Sequence, residues 1–108
     1  MEKLKDILKS PNWKLIAVDL DWTLCKWEFR WEWEPTPITE RIEYINSLYI
    51  KGAHIVIYTA RSPEHFTNTF AWLIKHKVKH HWINMQYKPW ADLYICDKSL
   101  NIKDVFEK

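Results

Sequence analysis

Five polar residues stand where short apolar runs give out, and their types suit the handling of a phosphoryl group. Asp19 and Asp21 close the first run, KLIAVDLD (14–21), and Thr59 closes HIVIYT (54–59), with Ala60 and Arg61 directly behind it. Lys88 follows WINM (82–85), and Asp97 follows DLYIC (92–96). Two carboxylates at i and i+2 can divide labour: one binds a hard cation and attacks, and the other moves a proton. Asp97 adds a third oxygen ligand of the kind Mg²⁺ takes. Thr59 and Lys88 offer a hydroxyl and a positive charge to phosphoryl oxygens. Each residue also has an ordinary reading. Acids are common in turns, a threonine can satisfy backbone at a strand end, a lysine can be merely solvated, and Arg61 can end in a surface ion pair.

Such residues act together only if a scaffold gathers the strand ends. The four apolar runs read as strands buried in a parallel sheet. Between the first two, Thr36 is placed as an N-cap with Pro37 at the first helical position. The helix that follows carries the stripe Ile38, Ile42, Ile45, Leu48 and Tyr49, and Gly52 stands where a left-handed C′ residue is needed. Ser62 and Pro63 open a second helix with the stripe Phe66, Phe70, Leu73 and Ile74. Short helices are also expected over 2–9 and from Asn101 through Phe106. Strands alternating with helices predict a three-layer, Rossmann-like α/β domain with a central parallel sheet. Right-handed crossovers would set the strand C-termini, and with them the polar residues, on one edge. Residues 1–108 read as one domain.

Residues 26–34 (KWEFRWEWE) alternate strictly, with Trp27, Phe29, Trp31 and Trp33 on one face. They read as a hairpin-like flap spanning about 24–36. Its aromatic face either packs on the domain or a second copy, or offers a platform for bases or sugars.

Composition narrows the field. The chain has 108 residues, with 8 Trp and a single Gly. One glycine cannot build a Gly-rich phosphate cradle, so dinucleotide and P-loop folds are excluded. A net charge of +2 is too small to imply nucleic acid or membrane by itself. Cys25 and Cys96 make no disulfide framework, so a reducing, cytoplasmic setting is expected, and a redox-sensitive pair is the sharper alternative. The charged, amphipathic start, MEKLKDILKSPNWK, does not read as a signal peptide. No apolar run is long enough to span a membrane. The run KHKVKHH (75–81) reads as the solvated end of a helix, although it could also meet a phosphate backbone or a metal.

The four elements together resemble the haloacid dehalogenase superfamily of phosphohydrolases over nearly the whole chain. VDLDWTL is similar to its D-x-D-x-T motif, IVIYTAR to its strand-terminal Thr or Ser, Lys88 in QYKPWAD to its lysine, and LYICDK to its final acids. YKPWADLYICDKSLN is especially similar to small capless members from bacteria and their viruses. Thr59-x-Arg61 is similar to the phosphatase domain of polynucleotide kinases, and an aromatic after D-x-D resembles the magnesium-dependent phosphatase branch. The resemblance implies a Mg²⁺-dependent phosphatase in which Asp19 forms an aspartyl-phosphate and Asp21 is the acid and base. It implies that Asp19, the Asp21 carbonyl and Asp97 hold Mg²⁺, that Thr59 and Lys88 hold phosphate, and that Arg61 and the amides near Leu20 and Ala60 meet the substrate. The implied partner is a small phosphorylated molecule, met by a monomer or homodimer away from membranes.

Two residues depart from the pattern: Trp22 stands where Gly is usual, and Cys96 replaces the first of the paired acids. No segment is long enough for a cap domain, so the site is expected to be open. Two further readings stay in view. One is a polynucleotide 3′-phosphatase-like enzyme acting on nucleic-acid ends. The other is a catalytically weakened, binding or regulatory protein on the same scaffold.

Overall fold

The computed structural model describes residues 8–27 and 34–96. Four strands form an all-parallel sheet: β1 (Leu15–Asp19), β4 (His54–Thr59), β5 (Trp82–Met85) and β6 (Leu93–Ile95), in the order β5-β4-β1-β6. The expected α/β architecture with a central parallel sheet is the one adopted. Ile16, Ala17 and Val18 of β1 are fully buried, as are Ile55 and Ile57 of β4. Residues covered on both faces of a sheet must be apolar throughout, which is why these runs do not alternate. In register, Asp19 lies opposite Tyr58 and Thr59 opposite Met85, so the polar ends of β1 and β4 share one edge.

Among the described residues, α1 (Thr39–Ile50) joins β1 to β4, and α2 (Phe66–Lys75) joins β4 to β5. Both crossovers step the same way along the sheet, so right-handed connections lay both helices on one face. Ile42, Ile45 and Leu48 of α1 are buried as the sequence stripe expects. Its start is not where the sequence placed it. Thr36 and Pro37 form a short strand, β3 (Thr36–Pro37), antiparallel to β2 (Cys25–Lys26), and Ile38 caps the helix without a side-chain bond. Pairing with Cys25 and Lys26 draws Thr36 and Pro37 out of the helix, and the Ile38 amide donates to Leu24 O at 2.8 Å.

α2 corrects a second expectation. Its buried residues are Thr69, Trp72 and Leu73, whereas Phe66, Phe70 and Ile74 are exposed. Thr69 and Trp72 carry polar atoms that find partners in the fold, Arg61 Nη1 donating to Thr69 Oγ1 and Trp72 Nε1 donating to Pro35 O. A stripe chosen by hydrophobicity alone cannot register that gain. A 3₁₀ turn, Pro63–His65, precedes the helix, with Ser62 before it and Pro63 leading as expected.

Both helices end in Schellman turns. Gly52 at φ 99° closes α1, with Ala53 N donating to Leu48 O and Gly52 N to Tyr49 O. Lys77, at φ 57°, does the same for α2 without being glycine.

No second domain interrupts the described residues. β2 and β3 are the base of the expected flap; Phe29, Trp31 and Trp33 lie outside the described residues. So do most of the helix expected over 2–9, the helix expected from Asn101, and Asp97.

Candidate active site

β1 ends at Asp19, and the chain then turns tightly. Thr23 N and Leu24 N both donate to Leu20 O, and Trp22 N donates to Cys25 O at 2.8 Å. Arg41, from α1, reaches across with Nη1 to Trp22 O (3.4 Å) and Thr23 O (3.2 Å). The turn requires a left-handed residue, and Trp22 fills that role at φ 69°. For a residue with a Cβ, that conformation costs about 1–2 kcal/mol. This is the physical reason a glycine suits the position.

The turn aims the half-buried Asp21 carboxylate at the end of β4. Arg61 grips it with a fork, Nη2 to Oδ1 at 2.7 Å and Nε to Oδ2 at 3.2 Å. Thr59 Oγ1 donates to Oδ2 at 3.0 Å, and Trp27 Nε1 donates to Oδ1 at 3.0 Å. Burial alone would raise the carboxyl. The bonds from Arg61, Trp27 and Thr59, with the guanidinium charge, outweigh it and hold Asp21 below the ordinary carboxylate range. Arg61 is itself oriented by Thr69 and lies 5.4 Å over the Trp27 ring. Thr59 is buried and acts as a pivot: its hydroxyl accepts from Arg61 N at 3.2 Å while donating to Asp21.

Thus Asp19, Asp21, Thr59 and Arg61, spread over more than forty positions, meet at one edge of the sheet. Arg61 is turned toward Asp21 in this arrangement. The Leu20 amide, expected to face substrate, already donates to Tyr58 O at 3.1 Å as part of the sheet ladder. Ala60 is exposed at the strand end. Lys88 lies in the loop between β5 and β6, its Nζ 4.2 Å above the Tyr94 ring. Tyr94 ties that loop by donating to Pro89 O and accepting from Ala91 N.

The sequence reading missed three contributors. Strict alternation puts Trp27 on the apolar flap face, yet its indole N–H donates to Asp21. Thr69 and Arg41 lie on helices whose tertiary partners no local pattern reveals. Cys25 fits the ordinary reading of a reduced thiol. Burial, reinforced by the Asp21 charge, pushes its thiol up to about 12, so it stays protonated and inert at neutral pH. Both cysteines are buried and unbonded to each other.

The oxygen donors suit a hard cation. Mg²⁺ typically takes one or two carboxylates and completes its shell with waters and phosphate. Asp19 stands half-buried at the strand end. Among the described residues no three His, Cys, Asp or Glu side chains cluster around an ion position. The Thr23 hydroxyl is fully buried in the same turn, with no hydrogen-bond partner among the described residues.

Beside Asp21, two adjoining clefts of about 420 and 200 Å³ share Arg61 and Asn68. They run along α2 from Trp27 and His65 toward Lys75, which pairs with Glu34 at 2.6 Å.

No family model and no curated protein matches this chain. Among solved structures, a structural-genomics target from Vibrio cholerae shares the fold at a TM-score of 0.70 and 26% identity, covering 88% of this chain and 89% of that one. A conserved protein from Bacteroides thetaiotaomicron matches at a TM-score of 0.67 and 21% identity, over 83% and 80% of the two chains. Both support the parallel α/β fold and bring no activity with them. None of the helices among the described residues is long and apolar enough to cross a membrane.

Proposed function

We propose that this chain is a Mg²⁺-dependent phosphomonoesterase resembling capless haloacid dehalogenase phosphatases. The observation that supports it most is the meeting of Asp19 and Asp21 at the end of β1 with Thr59 and Arg61 at the end of β4. In open parallel sheets, that edge is where ligands bind.

In the proposed reaction an Asp19 oxygen attacks phosphorus in line. The new P–O bond to Asp19 forms as the bond to the leaving oxygen breaks, and Asp21 gives that oxygen its proton. Water then attacks phosphorus and gives a proton to Asp21, and the Asp19–phosphorus bond breaks to release inorganic phosphate. Mg²⁺, held by Asp19, the Asp21 carbonyl and Asp97, would neutralise charge so that two anions can approach. Lys88 and the Ala60 amide would add phosphoryl donors.

The resting geometry favours one half of this cycle. Asp21 is held as a carboxylate with both oxygens already accepting hydrogen bonds, the form that takes a proton from water. Giving a proton to the leaving group requires Arg61 or Thr59 to let go first. Substrate phosphate, a competing acceptor, is suited to draw the Thr59 hydroxyl away.

The same observation favours a second reading. A carboxylate saturated by Arg61, Trp27 and Thr59, with Cys96 where an acid is usual, suits a protein that binds a phosphorylated ligand without turnover. One experiment separates the two: release of inorganic phosphate from an aryl phosphate, with and without Mg²⁺, by the parent chain and Asp19→Asn. The proposal expects Mg²⁺-dependent release that falls at least about 10³-fold in Asp19→Asn, the scale of removing a member of a catalytic unit. No Mg²⁺-dependent release, or an unchanged rate in Asp19→Asn, overturns it; binding of the phosphate ester without release supports the second reading.

A further inference from the structure

Trp22 holds a left-handed backbone conformation at φ 69°, yet its indole is 52% exposed. Packing therefore returns little for the strain. Both of its backbone groups are fixed, the N–H on Cys25 O and the carbonyl under Arg41 Nη1, so the side chain projects from a rigid turn. Strain that burial does not repay gathers at functional positions. Trp22 directly follows Asp21, the group proposed to meet the leaving oxygen. The loop that carries Lys88 exposes two more rings beyond β5, Tyr87 at 69% and Trp90 at 73%. Large aromatic rings left in water on loops flanking a polar site offer π faces to a ligand.

We infer that Trp22 is a specificity-determining residue whose indole stacks on a planar ring of the ester's leaving group. The inference rests on the phosphomonoesterase reading for its reaction and on the Trp22 geometry for its substrate class. The shared chemistry is a flat π system carried by the leaving group, either bonded to the ester oxygen as in a phenol-type ring or held beyond a sugar as a nucleobase. A rigid indole loses little freedom on binding, so the stacking contributes to affinity.

The test compares phenyl phosphate and adenosine monophosphate with glycerol phosphate, using the parent chain, Trp22→Gly and Trp22→Phe. Glycine relieves the turn, so Trp22→Gly stays folded and gains thermal stability. The parent is expected to favour a planar ester, mainly through KM. Trp22→Gly narrows that preference by about 10-fold, the scale of one lost stacking contact, and Trp22→Phe retains most of it. A preference confined to phenyl phosphate or to adenosine monophosphate tells which flat group is meant. An unchanged preference in Trp22→Gly, or an equal loss on all three esters, overturns the inference. If the parent hydrolyses none of them, the phosphomonoesterase reading fails separately. Calorimetric binding of the same three esters then decides: tighter binding of a planar ester, abolished in Trp22→Gly, supports stacking, and equal affinities overturn it.

Discussion

At the scale of single residues, the Arg61–Asp21 pair organises the site. Its carboxylate is largely buried and accepts four strong donors, so removing the guanidinium leaves a charge with too few partners. We expect Arg61→Gln to lose about 2–3 kcal/mol at neutral pH, the lower part of the range for breaking a desolvated pair. The sign of the pH dependence follows from the depressed carboxyl. A group lowered by folding stabilises the native state above its ordinary value of about 3.9, and that contribution is lost as pH falls through the lower folded value. The gap between parent and Arg61→Gln should therefore be full at pH 7 and close in acid, as urea unfolding at a series of pH values will show. A gap independent of pH would mean that Arg61 acts through packing alone. Asp19, Asp21, Thr59 and Arg61 were legible as a set because each ends an apolar strand or follows its end by two residues. The bond between Asp21 and Arg61 was not, since nothing in a linear pattern says which donor an exposed-looking arginine will choose.

At the scale of elements, the two helix ends make opposite predictions. Gly52 sits at φ 99°, and a Cβ there would come within 2.1 Å of Asn12 Oδ1. The asparagine can swing aside, so the cost of Gly52→Ala is mainly conformational, about 1–2 kcal/mol. Lys77 occupies the same kind of turn with a side chain, so Lys77→Gly should stabilise by about 1 kcal/mol, or roughly 4–8 °C in Tm for a domain of this size. Calorimetry that found Lys77→Gly neutral or destabilising would contradict the reading of that turn as strained. Gly52 announced its turn because glycine marks left-handed positions. Lys77 and Trp22 gave no such signal, because their conformation is imposed by the hydrogen bonds that close each turn. The face of α2 was misread for a related reason: Thr69 and Trp72 are buried through bonds to Arg61 and Pro35, which hydropathy does not count. α1 buries Ile42, Ile45 and Leu48, aliphatic residues that hydropathy does count, and so presents the face its sequence stripe describes.

At the scale of the whole molecule, sheet topology converts distant residues into neighbours. β1 and β4 are adjacent and parallel, so the acids near position 20 and the Thr59–Arg61 pair must share an edge once the register Asp19–Tyr58 is set. That much was written in the apolar runs and the crossover rule. β2 and β3 pair at the two ends of the expected flap, although Thr36 and Pro37 read as a helix start, and Trp27 next to β2 donates to Asp21. If Asp19 is the nucleophile, as proposed, a covalent aspartyl-phosphate forms on it during turnover. The protein is mixed with phenyl phosphate and Mg²⁺, quenched in acid within the first turnover, and its peptides are weighed by mass spectrometry. One phosphoryl group is expected on the peptide bearing Asp19, and none in Asp19→Asn. Steady phosphate release with the label on another residue, or with no labelled peptide at any quench time, would contradict it.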